Sequence, residues 1–252
     1  MAARNETDQM VKIDATGIYY KELNYQLREL ADEGVPKVEL HNVYGQRYIG
    51  TGLRKPLEIE IFGTPGNDLG VFMDGPKITV HGNAQDGSGN TMNDGEIIVH
   101  GHAGDTICLS ARGGKVFVRD DVGYRAGIHM KEYQDKKPKL VIGGTAQDFV
   151  GEYMAGGILV LLGLNGRKEQ RANFIGTGMH GGVIYLRGSV ESYQLGREVG
   201  TAGLEETDWR ILKELLDEFT EHFGGDAGKL LKLDFIKLFP LWLRPYGKIY
   251  AY

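Results

Sequence analysis

At 252 residues the chain has the length for one large domain or two small ones, with a sizeable core. A net charge of −5 with 25% charged residues offers no electrostatic reason to seek nucleic acid or an acidic membrane surface, so neither is an expected partner. No apolar run reaches the roughly 18 residues of a membrane span, the opening residues lack the apolar core of a secretory signal, and the single cysteine, Cys108, excludes an internal disulfide; the expected address is cytoplasmic.

The first predicted element is a helix over residues 18–33, with Leu23, Leu27 and Leu30 at helical spacing and Gly34 as its stop. It is expected to cap the first coil of a repeat that begins near residue 54. Glycine dominates from there: the chain has 38, about twice the usual ~7% share. The glycines keep no three-residue period and separate apolar, β-branched segments, so they punctuate strands.

The strands repeat. Anchored on the residue that ends each one, they finish at Gly63, Gly82, Gly101, Asp120, Gly143, Gly163 and Gly188, with spacings of 19, 19, 19, 23, 20 and 25. Four residues before the anchors stand Ile59, Ile78, Ile97, Val116, Lys139, Leu159 and Ile184. Two before stand Ile61, Val80, Val99, Val118, Val141, Leu161 and Leu186. All but Lys139 are apolar, and alternate strand residues face one way. Each unit therefore contributes a strand with one apolar face, and each coil lays its strand on the one before so that these faces line a common core.

The opposite face, three before the anchors, runs Glu60, Thr79, Ile98, Phe117, Leu140, Val160, Tyr185. It starts polar and turns apolar, so its later part needs a cover, from the C-terminus or from a partner. A second amphipathic helix over 207–223 carries Trp209, Leu212, Leu216, Phe219 and Phe223, closed by Gly224 and Gly225. The apolar tail beyond it is expected to pack on the solenoid or a partner. The reading is a mainly β fold: a right-handed parallel β-helix (solenoid) of about seven coils with an N-terminal and a C-terminal helix. It divides as an N-terminal segment 1–53, a repeat domain 54–190 and a C-terminal part 191–252.

Candidate chemistry is sparse. "GTGMHG" (176–181) fits G-x-G-x-x-G but runs into a strand, whereas a dinucleotide site opens a helix. His81 and His100 occupy equivalent columns with His102 close by, a weak candidate for a metal. Cys108 reads as a small buried residue, Asp120 and Asp121 as a solvated corner, and Asp148 and Glu152 as no acid/base pair. No catalytic or cofactor-binding residue is assigned, and one cysteine cannot hold an iron–sulfur cluster, which takes about four thiolates. A rigid stack without a convergent polar cluster suits a scaffold.

At "GTPGNDLG" (63–70), "GNTMNDGEIIVHGHAGD" (89–105), "GYRAGIHMKEY" (123–133), "GGTAQDFVGEYMAGGILVLLG" (143–163) and "NFIGTGMHGGVIYLRG" (173–188) the chain resembles the C-terminal GXGXG β-helix domain of the glutamate synthase large subunit. "VKIDATGIYYKELN" (11–24) is similar to the freestanding form of that domain. The resemblance implies a structural subunit with no catalytic residue of its own. Glutamine hydrolysis would belong to an amidotransferase partner, and FMN and the iron–sulfur cluster to a synthase partner. The same solenoid is implied in the β-helix subunit of formylmethanofuran dehydrogenase, a tungsten or molybdenum enzyme. An orphan interaction module, alone or as a homo-oligomer, is the third reading.

Overall fold

The computed structural model describes residues 10–165 and 170–242. Nine strands run parallel in one sheet: β1 (Met10–Asp14), β2 (Lys37–Tyr44), β3 (Glu58–Thr64), β4 (Asp74–Val80), β5 (Asp94–Val99), β6 (Lys115–Val118), β7 (Lys139–Ile142), β8 (Ala155–Leu161) and β9 (Gly181–Arg187). Helix α1 (Tyr20–Asp32) joins β1 to β2. From β3 to β9 the chain closes about six turns, slightly fewer than seven coils, because seven strands bound six intervals.

The inward ladders are continuous. Ile59, Ile78, Ile97, Val116, Leu140, Leu159 and Ile184 lie in register, as do Ile61, Val80, Val99, Val118, Ile142, Leu161 and Leu186. All are buried in one cluster that also takes Leu23 and Leu27 of α1, which thereby closes the open end of the stack.

The ladders correct one strand of the sequence reading. β7 places Leu140 and Ile142 inward, and turns Lys139 and Val141 to the other face. The anchor is Gly144, not Gly143. A one-residue slip exchanges the two faces of a strand, and in "LVI" every residue is apolar, so hydropathy could not choose between them. A second difference lies in the N-terminal segment, read as a flank with a helix: β1 and β2 are two further strands of the same sheet.

The outer face has two zones. Its first column alternates in charge along the stack, Lys37, Glu58, Lys77, Glu96, Lys115, then breaks the alternation at Lys139 and turns apolar at Ile158. Neighbouring opposite charges meet at Lys77–Glu96 (3.0 Å) and Lys37–Glu58 (3.9 Å). The column beside it supplies the apolar strip Phe117, Val141, Val160 and Tyr185. The chain's own helix α2 (Glu206–Phe223) covers this strip, burying Leu212, Leu215, Leu216 and Phe219 against it. For these residues the cover is the C-terminal helix and not a partner.

Helix α2 begins at a capping box, with the Glu205 N–H donating to Asp208 Oδ2 at 2.9 Å. Asp208 also accepts from the Tyr185 hydroxyl (2.7 Å) and pairs with Lys237 (2.9 Å). Toward its far end Lys115 reaches Glu218 at 2.7 Å and His222 meets Glu96 at 3.3 Å. The helix stops at Gly224, whose φ of 80° suits glycine.

The C-terminal part adds two strands to the sheet. β10 (Val199–Ala202) precedes α2, and a short turn of helix after it, α3 (Ala227–Leu230), leads to β11 (Phe235–Pro240). β11 pairs antiparallel with β9 on one side and with β10 on the other. Phe235 and Leu238 are buried there. The end of the apolar tail, residues 243–252, lies outside the described residues.

This packing sets four expected outcomes. Val99→Asp places a carboxylate in the inner ladder and is expected to cost several kcal/mol, on the order of the whole ~5–15 kcal/mol of a typical domain. Ile98→Asp, on the outer face, would be mild if that face were open. Ile98 is only 2% exposed, so the substitution should be nearly as damaging in a thermal melt. Gly151 has φ +66°, and a Cβ there would stand 2.7 Å from Ile184 Cδ1, so Gly151→Ala should lower stability by roughly 1–3 kcal/mol in denaturant titration. Finally, burial raises the Glu96 pKa, but His222 and Lys77 outweigh it and hold the carboxyl at about 2. The unfolded state therefore binds more protons below the ordinary value of 4.5. Stability contributed by Glu96 is present above that pH and is lost as pH falls toward about 2. Glu96→Gln should flatten the stability–pH curve in this window, measured by denaturant midpoints.

Candidate functional site

Each turn is closed by a corner of unusual backbone. At 68, 70 and 72 the residues have φ of +62°, +67° and +57°, and the same triplet recurs at 48/50/52, 87/89/91, 106/108/110, 125/127/129, 149/151/153 and 174/176/178. The peptide planes alternate. The Gly70 N–H donates back to Ile49 O (2.8 Å), while the Asp68 and Phe72 N–H groups donate forward to Asp86 O (2.9 Å) and Asn90 O (3.1 Å). The corner thus continues the inter-turn ladder with residues in the left-handed region.

Glycine fills the middle position in every triplet but one. Cys108 stands there with φ 60°, fully buried, and burial pushes its thiol well above the usual range. This fits the structural role expected of it and not a nucleophile.

Two columns of polar side chains stitch the corners together. Asp86 accepts from the Asp105 N–H (2.9 Å), Asp105 from the Tyr124 N–H (2.8 Å), and Asp148 from the Asn173 N–H (2.8 Å). On the other corner Asn83 accepts from the His102 N–H (2.9 Å), His102 Nδ1 from the Asp121 N–H (3.2 Å), and Asp121 from the Thr145 N–H (2.6 Å) and from Asn165. Asp121 is therefore a bracket between turns, not a merely solvated corner. Asp148 and Glu152 do not form an acid/base pair: Asp148 serves Asn173, and Glu152 pairs with Arg125 at 2.9 Å.

The histidines separate. His81 and His100 stack at 5.5 Å between ring centroids, within a longer pile of rings running His41, Phe62, His81, His100 and ending on Phe223 of α2. His81 Nε2 lies 2.6 Å from Glu60, and burial, then the charge of His81, lowers the His100 pKa. His102 belongs to the other column, with Nδ1 committed to the backbone. Among the described residues no group of three or more His, Cys, Asp or Glu is placed to hold a metal ion.

The late corners carry a feature that sequence reasoning misses. The outer positions of the triplets hold Arg125 and His129, then Phe149 and Tyr153, then Phe174, all with positive φ. Such a backbone is a genuine outlier for bulky residues and costs on the order of 1–3 kcal/mol each. They stack along the solenoid: Arg125 over Phe149 (4.8 Å), Phe149 on Phe174 (4.9 Å), His129 on Tyr153 (5.3 Å). Gly178, next in the Tyr153 column, leaves room for that ring, since a Cβ there would come within 2.4 Å of it. A signal is available in the sequence: the G-x-G of "GTG" (176–178) aligns with "GEY" (151–153) and "GIH" (127–129), so the rings stand in glycine columns.

One cleft of about 840 Å³ lies where α1 meets β2, lined by Tyr19, Tyr20, Tyr44 and Arg47, and one of about 460 Å³ is lined by Lys115, Lys136, Lys137 and Lys139. Neither gathers a nucleophile, a base and an oxyanion donor. No helix among the described residues is long and apolar enough to cross a membrane.

Known proteins are similar to this chain. A protein of Methanocaldococcus jannaschii is 48% identical over 96% of both chains. Ferredoxin-dependent glutamate synthase 2 of Synechocystis is 29% identical over 76% of this chain, and the chloroplastic ferredoxin-dependent glutamate synthase of Spinacia oleracea is 28% identical over 79% of it. The chain spans only 13% of the length of either synthase. Among solved structures, a chain of the formyltransferase/hydrolase complex FhcABCD from Methylorubrum extorquens, in complex with methylofuran, superposes with a TM-score of 0.62 at 18% identity, covering 90% of this chain and 89% of that one. That likeness is one of fold. The GXGXG motif family model matches residues 36–244, the whole sheet from β2 through the tail strand. With its glycine-centred corners repeated turn after turn, the chain belongs to the GXGXG motif family.

Proposed function

We propose that this protein is a non-catalytic structural subunit of a glutamate-synthase-type complex, working in the cytoplasm in glutamate biosynthesis and ammonia assimilation. In this reading it scaffolds an amidotransferase unit and a synthase unit, and FMN and the iron–sulfur cluster reside on those partners. The observation that carries the reading is the match of most of this chain to a small part of each glutamate synthase, joined to polar groups that, among the described residues, brace the backbone and do not converge on a reacting centre. The single buried cysteine fits poorly with cluster ligation by this chain.

A second reading is supported comparably. The fold match to a chain of the formyltransferase/hydrolase complex favours a component like the β-helix subunit of formylmethanofuran dehydrogenase. The scaffold role is the same and the partners differ.

Affinity purification from the native host, with mass spectrometry of the retained chains, separates the two. Co-purification of an amidotransferase chain and a yellow-brown flavin and iron–sulfur chain is the expected result. Recovery of subunits bearing a molybdopterin-type cofactor would transfer the protein to the second complex. Recovery of the chain alone, as monomer or homo-oligomer, would overturn both.

A further inference from the structure

We propose that two copies of this chain join through β10, the last strand of the sheet, paired antiparallel across a two-fold axis at Thr201. The inference stands apart from the reading above, because it concerns the chain's pairing with itself and holds whichever complex the chain serves.

The edge is open and the direction of its peptide groups is fixed. β10 ends the 11-stranded sheet, with β11 on one side of it. The Leu241 N–H donates to Glu198 O at 2.7 Å, and along the same pairing Gly200 stands opposite Phe239 and Ala202 opposite Lys237. Hydrogen-bonded positions alternate along an antiparallel pair. Residues 198, 200 and 202 therefore face β11, and residues 199, 201 and 203 turn their peptide groups to the other edge. The Val199 N–H is used within the chain, by Gly196 O at 3.1 Å. Val199 O, the Thr201 N–H and O, and the Gly203 N–H remain along the edge, and Thr201, Ala202 and Gly203 are exposed. A second β10 turned by a half-rotation meets this set with its own. Thr201 exchanges two hydrogen bonds with its copy, and each Gly203 N–H reaches the opposite Val199 O.

Charge complementarity selects a second copy as the occupant. In that register Arg197 lies opposite Glu205 of the other copy, twice by symmetry. Both are exposed, and neither has an ion-pair partner among the described residues. Glu205 accepts only from the N–H of Asp208 in the capping box, and its backbone is extended, with φ −93° and ψ 173°. Between them stand Val199, Gly200, Thr201, Ala202 and Gly203, all uncharged and small or β-branched, so no charge opposes its own copy near the axis. The other end of the sheet is the contrast. A two-fold centred on β1 would set Lys12 against its own copy, and a lysine on an edge strand is a guard against such pairing. β10 carries no guard. Apolar surface lies beside it instead: Leu241, bonded to the start of the strand, is 49% exposed and Trp242 66%. A self-complementary patch of this kind closes as an isologous dimer.

The test uses the purified full chain in sedimentation velocity over a range of concentrations. Wild type should show a monomer–dimer equilibrium. Arg197→Glu sets like charges across the two-fold and should weaken dimerisation roughly tenfold or more. Its melting curve should match wild type, because the Arg197 side chain pairs with nothing among the described residues. Glu205→Arg creates the same repulsion from the other side. Mixed, the two variants regain both opposite-charge contacts and should form a one-to-one dimer that neither forms alone. Glu205→Arg also loses its half of the capping box, so a second measurement avoids charge altogether. Thr201→Cys, oxidised with copper phenanthroline, should give a disulfide-linked dimer, since Cα atoms of a hydrogen-bonded antiparallel pair stand about 5.5 Å apart, within disulfide range. Cys108 is buried and does not compete. Tyr25→Cys on α1, where Tyr25 is 57% exposed, should not crosslink. A wild type that stays monomeric at every concentration, a dimer that Arg197→Glu leaves equally tight, or a Thr201→Cys chain that crosslinks no better than Tyr25→Cys would overturn the inference. None of these outcomes depends on capture of an amidotransferase, synthase or molybdopterin-bearing chain, so failure here is distinct from failure of the assembly reading.

Discussion

Backbone hydrogen bonds from each turn to the next are the constraint on which the structure depends. A solenoid has no interior loop that water can satisfy, so every buried N–H and C=O must find its partner one turn away. On the strands the parallel ladder does this. At the corners the alternating peptide planes do it, and they demand positive φ at three positions per turn. Asp86, Asp105, Asp148, Asn83, His102 and Asp121 supply acceptors where the backbone runs out. The high glycine content, the near-constant repeat length and the in-register apolar columns are consequences of that one requirement.

The second determinant is what each face is asked to do. The inner face is closed by repetition, with Leu23 and Leu27 of α1 at its first end and Val199 of β10 and Leu238 of β11 joining the same cluster at its last. The outer face is solvated where the charges alternate and apolar where they stop, and α2 lies on the apolar part. The helix is held at both ends by polar pairs, Asp208 with Tyr185 and Lys237, and Glu218 and His222 with Lys115 and Glu96. Individually such pairs add little at a surface. Here they set the position of a helix whose driving force is the burial of Leu212, Leu215, Leu216 and Phe219.

Much of this is legible in the sequence, and the exceptions have physical causes. The two helices and the inward columns follow from period and from glycine anchors. Strand β7 reads one residue out of register because Gly143 and Gly144 are both plausible anchors and Leu140, Val141 and Ile142 are all apolar. β2 escapes the repeat because its register shifts between Leu40 and Val43. The corner is half-hidden because Cys108, Phe149, Tyr153 and Phe174 stand where a glycine would announce the turn. His102 is a near neighbour of His100 in sequence, yet a corner separates their columns, and its ring braces the backbone.

In the proposed reading the chain is a rigid, non-catalytic member of an assembly whose chemistry lies on other chains. Reconstitution of glutamine-dependent glutamate formation tests this most directly. The amidotransferase and synthase chains would be assayed with 2-oxoglutarate and a reductant, with and without this protein, alongside this protein alone. The expected result is no glutamate from the isolated chain and a full rate only when it is added to its partners. Glutamate formed by the isolated chain, or partners that run equally fast without it, would contradict the reading.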